Sequence, residues 1–127
     1  MKFPFNPDEG PVLVRTRLSG PEGDAIVRLV LDTGATSTLV NWHVAVLLGY
    51  DPSVAPKRIQ ITTGSGVEFA AQITMERIEA LGKVSLAFPV LCHTLPPSAG
   101  VDGLLGLDFL RGQRMVLDFR SGMLTLD

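Results

Sequence analysis

Short runs of apolar residues, separated by turns rich in glycine and proline, follow one another along this chain. Residues 12–18 (VLVRTRL) alternate between apolar and polar side chains, and residues 25–31 (AIVRLVL) are more continuously apolar. Alternation with a period of two predicts a strand with one buried face, and a continuous apolar run of this length predicts a more buried strand. The glycine-containing segment 19–24 predicts a turn between these two strands.

Three further pairs of apolar runs are predicted to form hairpins, because glycine separates the two β-rich arms of each pair. A short strand is also predicted at residues 37–40 (STLV). The predicted hairpins are residues 57–73, turning around Gly64 to Gly66; residues 74–91, turning near Gly82 and Lys83; and residues 115–127, turning at Ser121 and Gly122.

Two short helices complete the predicted elements. Residues 41–50 (NWHVAVLLGY) are consistent with a helix that Asn41 caps and Gly49 ends. Residues 104–112 (LLGLDFLRG) predict the end of an apolar strand running into a helix that Gly112 ends. The sequence therefore predicts a mostly β fold in one domain, residues 1–127, with residues 1–11 as an irregular N-terminal arm.

Composition limits the classes of function. The chain has 127 residues, of which 46% are hydrophobic and 19% charged, so it can fill a core and is not disordered. The net charge is −2 and the basic residues are scattered, which gives no electrostatic reason to expect nucleic acid as a partner. No apolar run approaches the roughly 18 residues of a membrane span, and no signal peptide is recognisable at the start of this chain. A cytoplasmic location is therefore expected if nothing outside this sequence directs the protein elsewhere.

Cys92 is the single cysteine. No internal disulfide is possible, and a zinc site built on cysteines is not expected. Because the residue lies in an apolar run, FPVLCHTL, we interpret it as a buried structural cysteine rather than a nucleophile.

The stretch LVLDTGATSTLV places a carboxylate, Asp32, in the middle of an apolar run. A buried carboxylate costs free energy unless it is hydrogen-bonded, paired or protonated, so its presence calls for a role. Thr33 and Gly34 complete an Asp-Thr-Gly tripeptide, which occurs once in the chain. The tripeptide alone is a weak signal, because aspartate and glycine are common in ordinary turns.

The order of the elements around this tripeptide is a stronger indication of function than the tripeptide alone. An apolar strand precedes it, a short strand follows it, a glycine-flanked hairpin comes about 30 residues later, and Leu-Leu-Gly then opens a helix. In that order, from about Val12 to Asp127, the chain resembles a subunit of the retropepsin-like aspartic proteases. It is closer to their cellular and bacterial branch, since Leu107 follows Gly106 where viral enzymes typically carry arginine.

The resemblance implies a closed β-barrel subunit with a flap hairpin, and an aspartic endopeptidase that cleaves extended peptides. Such enzymes need two carboxyl groups that share one proton, and one Asp-Thr-Gly supplies only half of that pair. A symmetric homodimer is therefore implied, with no cofactor and no metal. The site residues carried over by resemblance are Asp32 as catalytic; Thr33, Gly34 and Ala35 as the supporting loop; Thr63, Gly64, Ser65 and Gly66 as the substrate-binding flap; and Leu104, Leu105 and Gly106 as structural support. The last strand, Met123 to Asp127, is expected to pair with its symmetry mate.

Other interpretations stay open. The Gly-Ser-Gly turn taken alone is more often an ordinary hairpin than a flap. His43 and His93 are candidate bases, but neither has an evident serine or cysteine partner, and adjacent strand residues such as Cys92 and His93 point to opposite faces. The alternative function is a catalytically silent peptide-binding or dimerisation module on the same fold.

Overall fold

The computed structural model describes residues 1–64 and 66–127, which form ten strands, two α-helices and two 3₁₀ turns. Ser65, in the predicted turn of the first hairpin, lies outside the described residues. The strands are β1 Lys2–Pro4, β2 Leu13–Gly20, β3 Gly23–Leu31, β4 Leu39–Asn41, β5 Lys57–Thr63, β6 Gly66–Ala80, β7 Lys83–His93, β8 Gly103–Leu105, β9 Met115–Asp118 and β10 Met123–Leu126. The helices are α1 Trp42–Leu47 and α2 Leu107–Leu110, and the 3₁₀ turns are Pro52–Val54 and Pro97–Ala99.

Six strands form a closed barrel. They are hydrogen-bonded in the order β2, β3, β8, β4, β7, β6, and a further pairing of β2 with β6 closes the ring. Among the described strands β5 is hydrogen-bonded to β6 only, so β5 and the first part of β6 form a projecting hairpin. The predicted mostly β class, the barrel and the two short helices are confirmed.

The alternating pattern of β2 explains how the barrel is filled. Val14, Thr16 and Leu18 point inward and are buried, whereas Arg15 and Arg17 lie on the exposed face. Because successive side chains of a strand point to opposite faces, this pattern fixes which side of β2 faces the core. The same barrel interior holds buried residues from most other strands and from both helices.

Strand β8 pairs with two strands that are distant in the sequence, β3 and β4, and these pairings position the candidate site. It runs parallel to β3, with Leu31 opposite Leu105, and antiparallel to β4. Gly103 is required at the start of β8, because a Cβ there would overlap the carbonyl oxygen of Leu39. Packing of the backbone of β8 against β4 therefore places the ends of β3 and β8 side by side.

Helix α1 differs from its prediction in one respect. Gly49 follows the helix with a φ of 96°, as expected of a residue that ends a helix. Asn41 does occupy the N-cap position, but its side chain makes no capping hydrogen bond. Its Oδ1 atom is instead buried without a hydrogen-bond partner in the described part of the chain. The predicted role of Asn41 as a capping side chain was therefore wrong.

The N-terminal segment also differs from its prediction, because Lys2–Pro4 form strand β1 and only the rest of the predicted arm is irregular. Strand β1 pairs with β10, and β10 pairs on its other edge with β9. With both edges of β10 occupied, the prediction that the last strand pairs with its symmetry mate does not hold for this arrangement. Within the described residues, the edges of this small sheet are β1 and β9.

Neither helix of the described chain is long and apolar enough to cross a membrane.

Candidate active site

Asp32 follows the last residue of β3 and is held in place by the backbone of β8. Its N–H group donates to the carbonyl oxygen of Leu105, 3.0 Å away. Its own carbonyl oxygen accepts from the N–H group of Ala35 at 3.1 Å, which closes a tight turn over Thr33 and Gly34. The backbone on both sides of the carboxylate is therefore fixed by hydrogen bonds.

The carboxylate of Asp32 accepts a hydrogen bond from the Gly34 N–H group, 2.9 Å from Oδ1. A Cβ on residue 34 would lie 3.2 Å from the same oxygen, so glycine leaves room for the carboxylate to fold back over the turn. In the single chain Asp32 is partly buried, while Thr33 and Gly34 are exposed. A carboxylate in this position is oriented by the backbone and remains accessible to a second molecule.

Two of the three predicted supporting residues, Leu105 and Gly106, contact the Asp32 loop, and Leu104 pairs with Val30 and Leu39 on the neighbouring strands. Leu105 is fully buried, and Leu104 and Gly106 are its neighbours in β8 and just after it. A Cβ on Gly106 would come within 2.7 to 2.9 Å of backbone atoms of Ser37 and Ala35, so the loop packs directly on this glycine. The structure therefore brings together two predicted groups that lie about 70 positions apart in the chain.

Two residues absent from the sequence prediction, Thr38 and Asp108, reinforce this contact. Thr38 is fully buried, and its N–H group lies 3.0 Å from each carboxylate oxygen of Asp108. The Thr38 hydroxyl donates to Asp108 Oδ1 at 2.7 Å and accepts from the Gly106 N–H group at 3.1 Å. A buried hydroxyl that is both donor and acceptor connects the Asp32 loop, β8 and α2 in one network.

Two backbone hydrogen bonds complete the junction between the loop and α2. The N–H groups of Leu107 and Asp108 donate to the carbonyl oxygens of Ala35 and Thr36, at 2.8 and 3.1 Å. The first turn of α2 thus uses otherwise unpaired N–H groups to hold the loop. The sequence shows a threonine at position 38 in a predicted strand and an aspartate at position 108 in a predicted helix, but neither residue predicts its partner.

The predicted flap corresponds to the hairpin of β5 and β6. Thr63 is the last residue of β5, Gly66 is the first of β6 and opposite it, and Gly64 lies in the turn. The inner face of the hairpin, with Ile59, Ile61 and Ala70, packs on a small apolar cluster from the barrel, whose other members are Leu39, Leu91 and Leu95. Since Leu39 follows the Asp32 loop by a few residues, the hairpin lies on the same side of the barrel as that loop.

The remaining candidate bases and nucleophiles lie apart from this junction. Burial raises the pKa of Cys92 to about 12, so its thiol stays protonated and unreactive at neutral pH. His43 is exposed on α1, whereas His93 lies at the end of β7 with Nε2 3.7 Å from a carboxylate oxygen of Glu68. Within the residues that the structure describes, no group of three or more His, Cys, Asp or Glu side chains is arranged to hold a metal ion.

Comparison with known proteins gives the family of the chain. Residues 22–112 match the model of a family described as "gag-polyprotein putative aspartyl protease", and this match covers the Asp32 loop, the hairpin and β8. The chain belongs to this aspartyl protease family. No curated protein matches the sequence.

The fold agrees with this family. The crystal structure of a retropepsin-like aspartic protease from Rickettsia conorii superposes with a TM-score of 0.74, covering 99% of this chain and 88% of that one. The two sequences are 20% identical, so the likeness is one of fold. The family match and the superposition together establish this chain as a retropepsin-like aspartic protease by family and fold, and they indicate a hydrolase.

Proposed function

We propose that the protein is an aspartic endopeptidase that works as a homodimer, in which each chain supplies one Asp32. The observation that carries this proposal is a single Asp-Thr-Gly loop whose carboxylate is oriented by the Gly34 N–H group and is only partly buried in one chain. One carboxylate cannot be general base and general acid at once, so the chemistry of the family requires a second. A second copy of the chain provides it by symmetry.

In this mechanism the two carboxyl groups share one proton. The ionised group accepts a proton from a water molecule as that water attacks the peptide carbonyl carbon. The protonated group donates to the carbonyl oxygen, on which negative charge develops. The backbone hydrogen bonds of Asp32 and the Thr38–Asp108 network hold each carboxylate in position, so little reorganisation is needed during the reaction.

The substrate class that we propose is an extended peptide. The hairpin of β5 and β6 projects beyond the barrel on the side of the Asp32 loop, and its inner face carries Ile59 and Ile61. An extended segment beneath such a hairpin can form backbone hydrogen bonds and place apolar side chains on this face. Gly64 and Gly66 at the tip, together with Thr63 and Ser65, are proposed as its closing part.

The test is cleavage of a diverse peptide library, with the products identified by mass spectrometry. We expect cleavage by the parent protein and none by Asp32→Asn, because the amide is nearly isosteric but cannot act as a base. Asp108→Asn serves as a matched control, an acid-to-amide change in the same junction, and should retain measurable cleavage. An Asp32→Asn variant that is folded and cuts at the parent rate would remove Asp32 from the mechanism.

Two further measurements address the dimer and the shared proton. Specific activity should fall on dilution through the range in which the dimer dissociates, whereas covalently linked subunits should resist this loss. The profile of kcat/KM against pH should be bell-shaped with an acidic optimum, because only the singly protonated pair is active. The silent-module alternative predicts peptide binding without cleavage, and binding that persists in Asp32→Asn.

A further inference from the structure

Beyond the part of β6 that pairs with β7, the described residues of the β5–β6 hairpin pack on the barrel through a small apolar cluster. Strand β6 pairs with β7 only from Ala71, opposite Cys92, onward, and Ile59 of β5 lies opposite Ala70, so residues 59–64 and 66–70 extend beyond the barrel sheet. On its inner face, three hairpin residues pack on a small apolar cluster that is separate from the main core. With so small an attachment, a single additional contact between hairpin and barrel changes the balance between closed and open positions.

An ion pair among the described residues also connects the hairpin with the barrel. Glu68 lies on the same face of β6 as Ala70, which belongs to the small cluster, and its carboxylate reaches His93 at the end of β7. The distance from His93 Nε2 to Glu68 Oε2 is 3.7 Å, and the side chains are 23% and 41% exposed. The pair therefore connects the hairpin to the barrel just past the point where β6 leaves β7.

The hydrogen bond of the other ring nitrogen, Nδ1, determines which protonation state of His93 makes the contact with Glu68 attractive. His93 Nδ1 lies 3.0 Å from the carbonyl oxygen of Thr94, which can only accept a hydrogen bond, so Nδ1 carries the proton. In a neutral imidazole Nε2 then presents a lone pair to the carboxylate, which is unfavourable. In an imidazolium both nitrogens donate, and the contact with Glu68 becomes an attractive ion pair.

The described contacts of His93 identify one neutral and one charged neighbour on adjacent strands. On β4, its neighbour in the parallel pairing is the neutral Asn41, and on β6 the charged partner is Glu68. Among the described residues, His93 forms no ion pair with any other group. Within the described residues, the charge of the imidazole therefore acts on Glu68 of the hairpin.

We propose that His93 is a positioning residue that acts as a pH-dependent latch: when it is protonated it holds Glu68, and so holds the hairpin closed on the barrel. This proposal deepens the proposed function, because it gives the hairpin a regulated closed state that is favoured in the acidic range where the shared-proton pair is active. Histidine is the side chain whose charge ordinarily changes between about pH 5 and 8, and the two pH values of the test are chosen from that general range.

The test is hydrogen–deuterium exchange of the hairpin amides without substrate, at about pH 5.5 and 7.5, with rates divided by those of the unfolded chain at the same pH. The parent protein should show about two- to five-fold more protection of residues 59–62 and 66–70 at the lower pH, the range expected for a partly exposed ion pair. Glu68→Gln and His93→Gln should each abolish this dependence, while Ala71 to Ala80 should be unchanged. About 1 M salt should weaken the dependence in the parent protein.

His43→Gln is the matched control, because it removes the other, exposed histidine of the chain and should leave the dependence intact. The proposal is overturned if the parent hairpin shows no dependence on pH, or if either Gln variant at the latch retains it. Repeating the exchange in Asp32→Asn separates the two proposals. The latch should persist in Asp32→Asn, because Asp32 takes no part in it. A parent protein that shows the latch but cleaves no peptide would leave the latch standing and refute the proposed function, and a parent protein that cleaves peptides without the latch would do the reverse.

Discussion

Replacing Thr38 by valine would remove one hydroxyl from the junction behind Asp32 while keeping the shape of the side chain. The hydroxyl donates to Asp108 and accepts from the Gly106 N–H group, and the residue is fully buried. Valine therefore breaks two hydrogen bonds at once and leaves a buried N–H group without its partner. The main-chain N–H group of residue 38 keeps its contacts with Asp108.

The expected cost follows from these two losses. A hydrogen bond to a charged acceptor contributes about 1.5–3 kcal/mol, and a buried donor left unpaired costs about 1–3 kcal/mol. Because the two effects share one hydroxyl, they do not add fully, and we expect a loss of about 3 kcal/mol in the free energy of unfolding. Peptide cleavage should also fall, since the Asp32 loop loses its connection to β8 and α2.

Thr16→Val is the matched control. Thr16 is as buried as Thr38, but within the described residues its hydroxyl makes one bond, to the neutral carbonyl oxygen of Val14 at 3.2 Å. Its loss should cost about 0.5–1.5 kcal/mol. Urea denaturation at a fixed protein concentration, followed by the fluorescence of Trp42, measures both variants on one scale.

The reasoning is refuted if Thr38→Val and Thr16→Val lose stability equally, within about 0.5 kcal/mol. A double-mutant cycle of Thr38→Val with Asp108→Ala gives a second check. The two substitutions should be coupled by at least about 1 kcal/mol if the network acts as a unit. Strict additivity would show that the two residues stabilise the loop independently.

Four other substitutions and one labelling experiment test the packing of the chain. Gly106→Ala should lower the free energy of unfolding by about 1–3 kcal/mol, because the added Cβ meets the backbone of the Asp32 loop. Gly64→Ala is its control: a Cβ there has no neighbouring atom within 4 Å, so the free energy of unfolding should change by less than about 0.5 kcal/mol in the same urea assay. Lys83→Met should cost about 1–2 kcal/mol, because Nζ donates to the carbonyl oxygen of Phe109 at 2.6 Å; an unchanged unfolding midpoint would contradict this. Iodoacetamide should leave native Cys92 unlabelled at about pH 8 and label it in urea. Its pKa is raised from 9.0 to about 12, so stability should fall as pH rises through that interval, where the unfolded thiol has lost its proton and the folded thiol has not. Cys92→Ala should remove this part of the pH dependence.

The sequence alone was sufficient for features that depend on neighbouring residues. The alternation in β2, the glycine turns of the three hairpins and the glycine after α1 are local signals, since side-chain direction and turn conformation are determined within a few residues. The Asp32 loop was recognisable for the same reason, because an Asp-Thr-Gly turn after an apolar strand is a contiguous pattern. Local signals also predicted the order of the elements, and this order carried the resemblance to the family.

Which distant groups meet depends on the tertiary structure. Thr38 and Asp108 are 70 positions apart, and no periodic pattern predicts that a buried hydroxyl and a helix-end carboxylate become partners. The same holds for β1, which was expected to be irregular but occupies the free edge of β10. It holds also for Glu68 and His93, whose contact depends on where β6 leaves β7. Pairings of this kind result from closing the barrel, which brings strand ends together according to register and packing rather than according to distance along the chain.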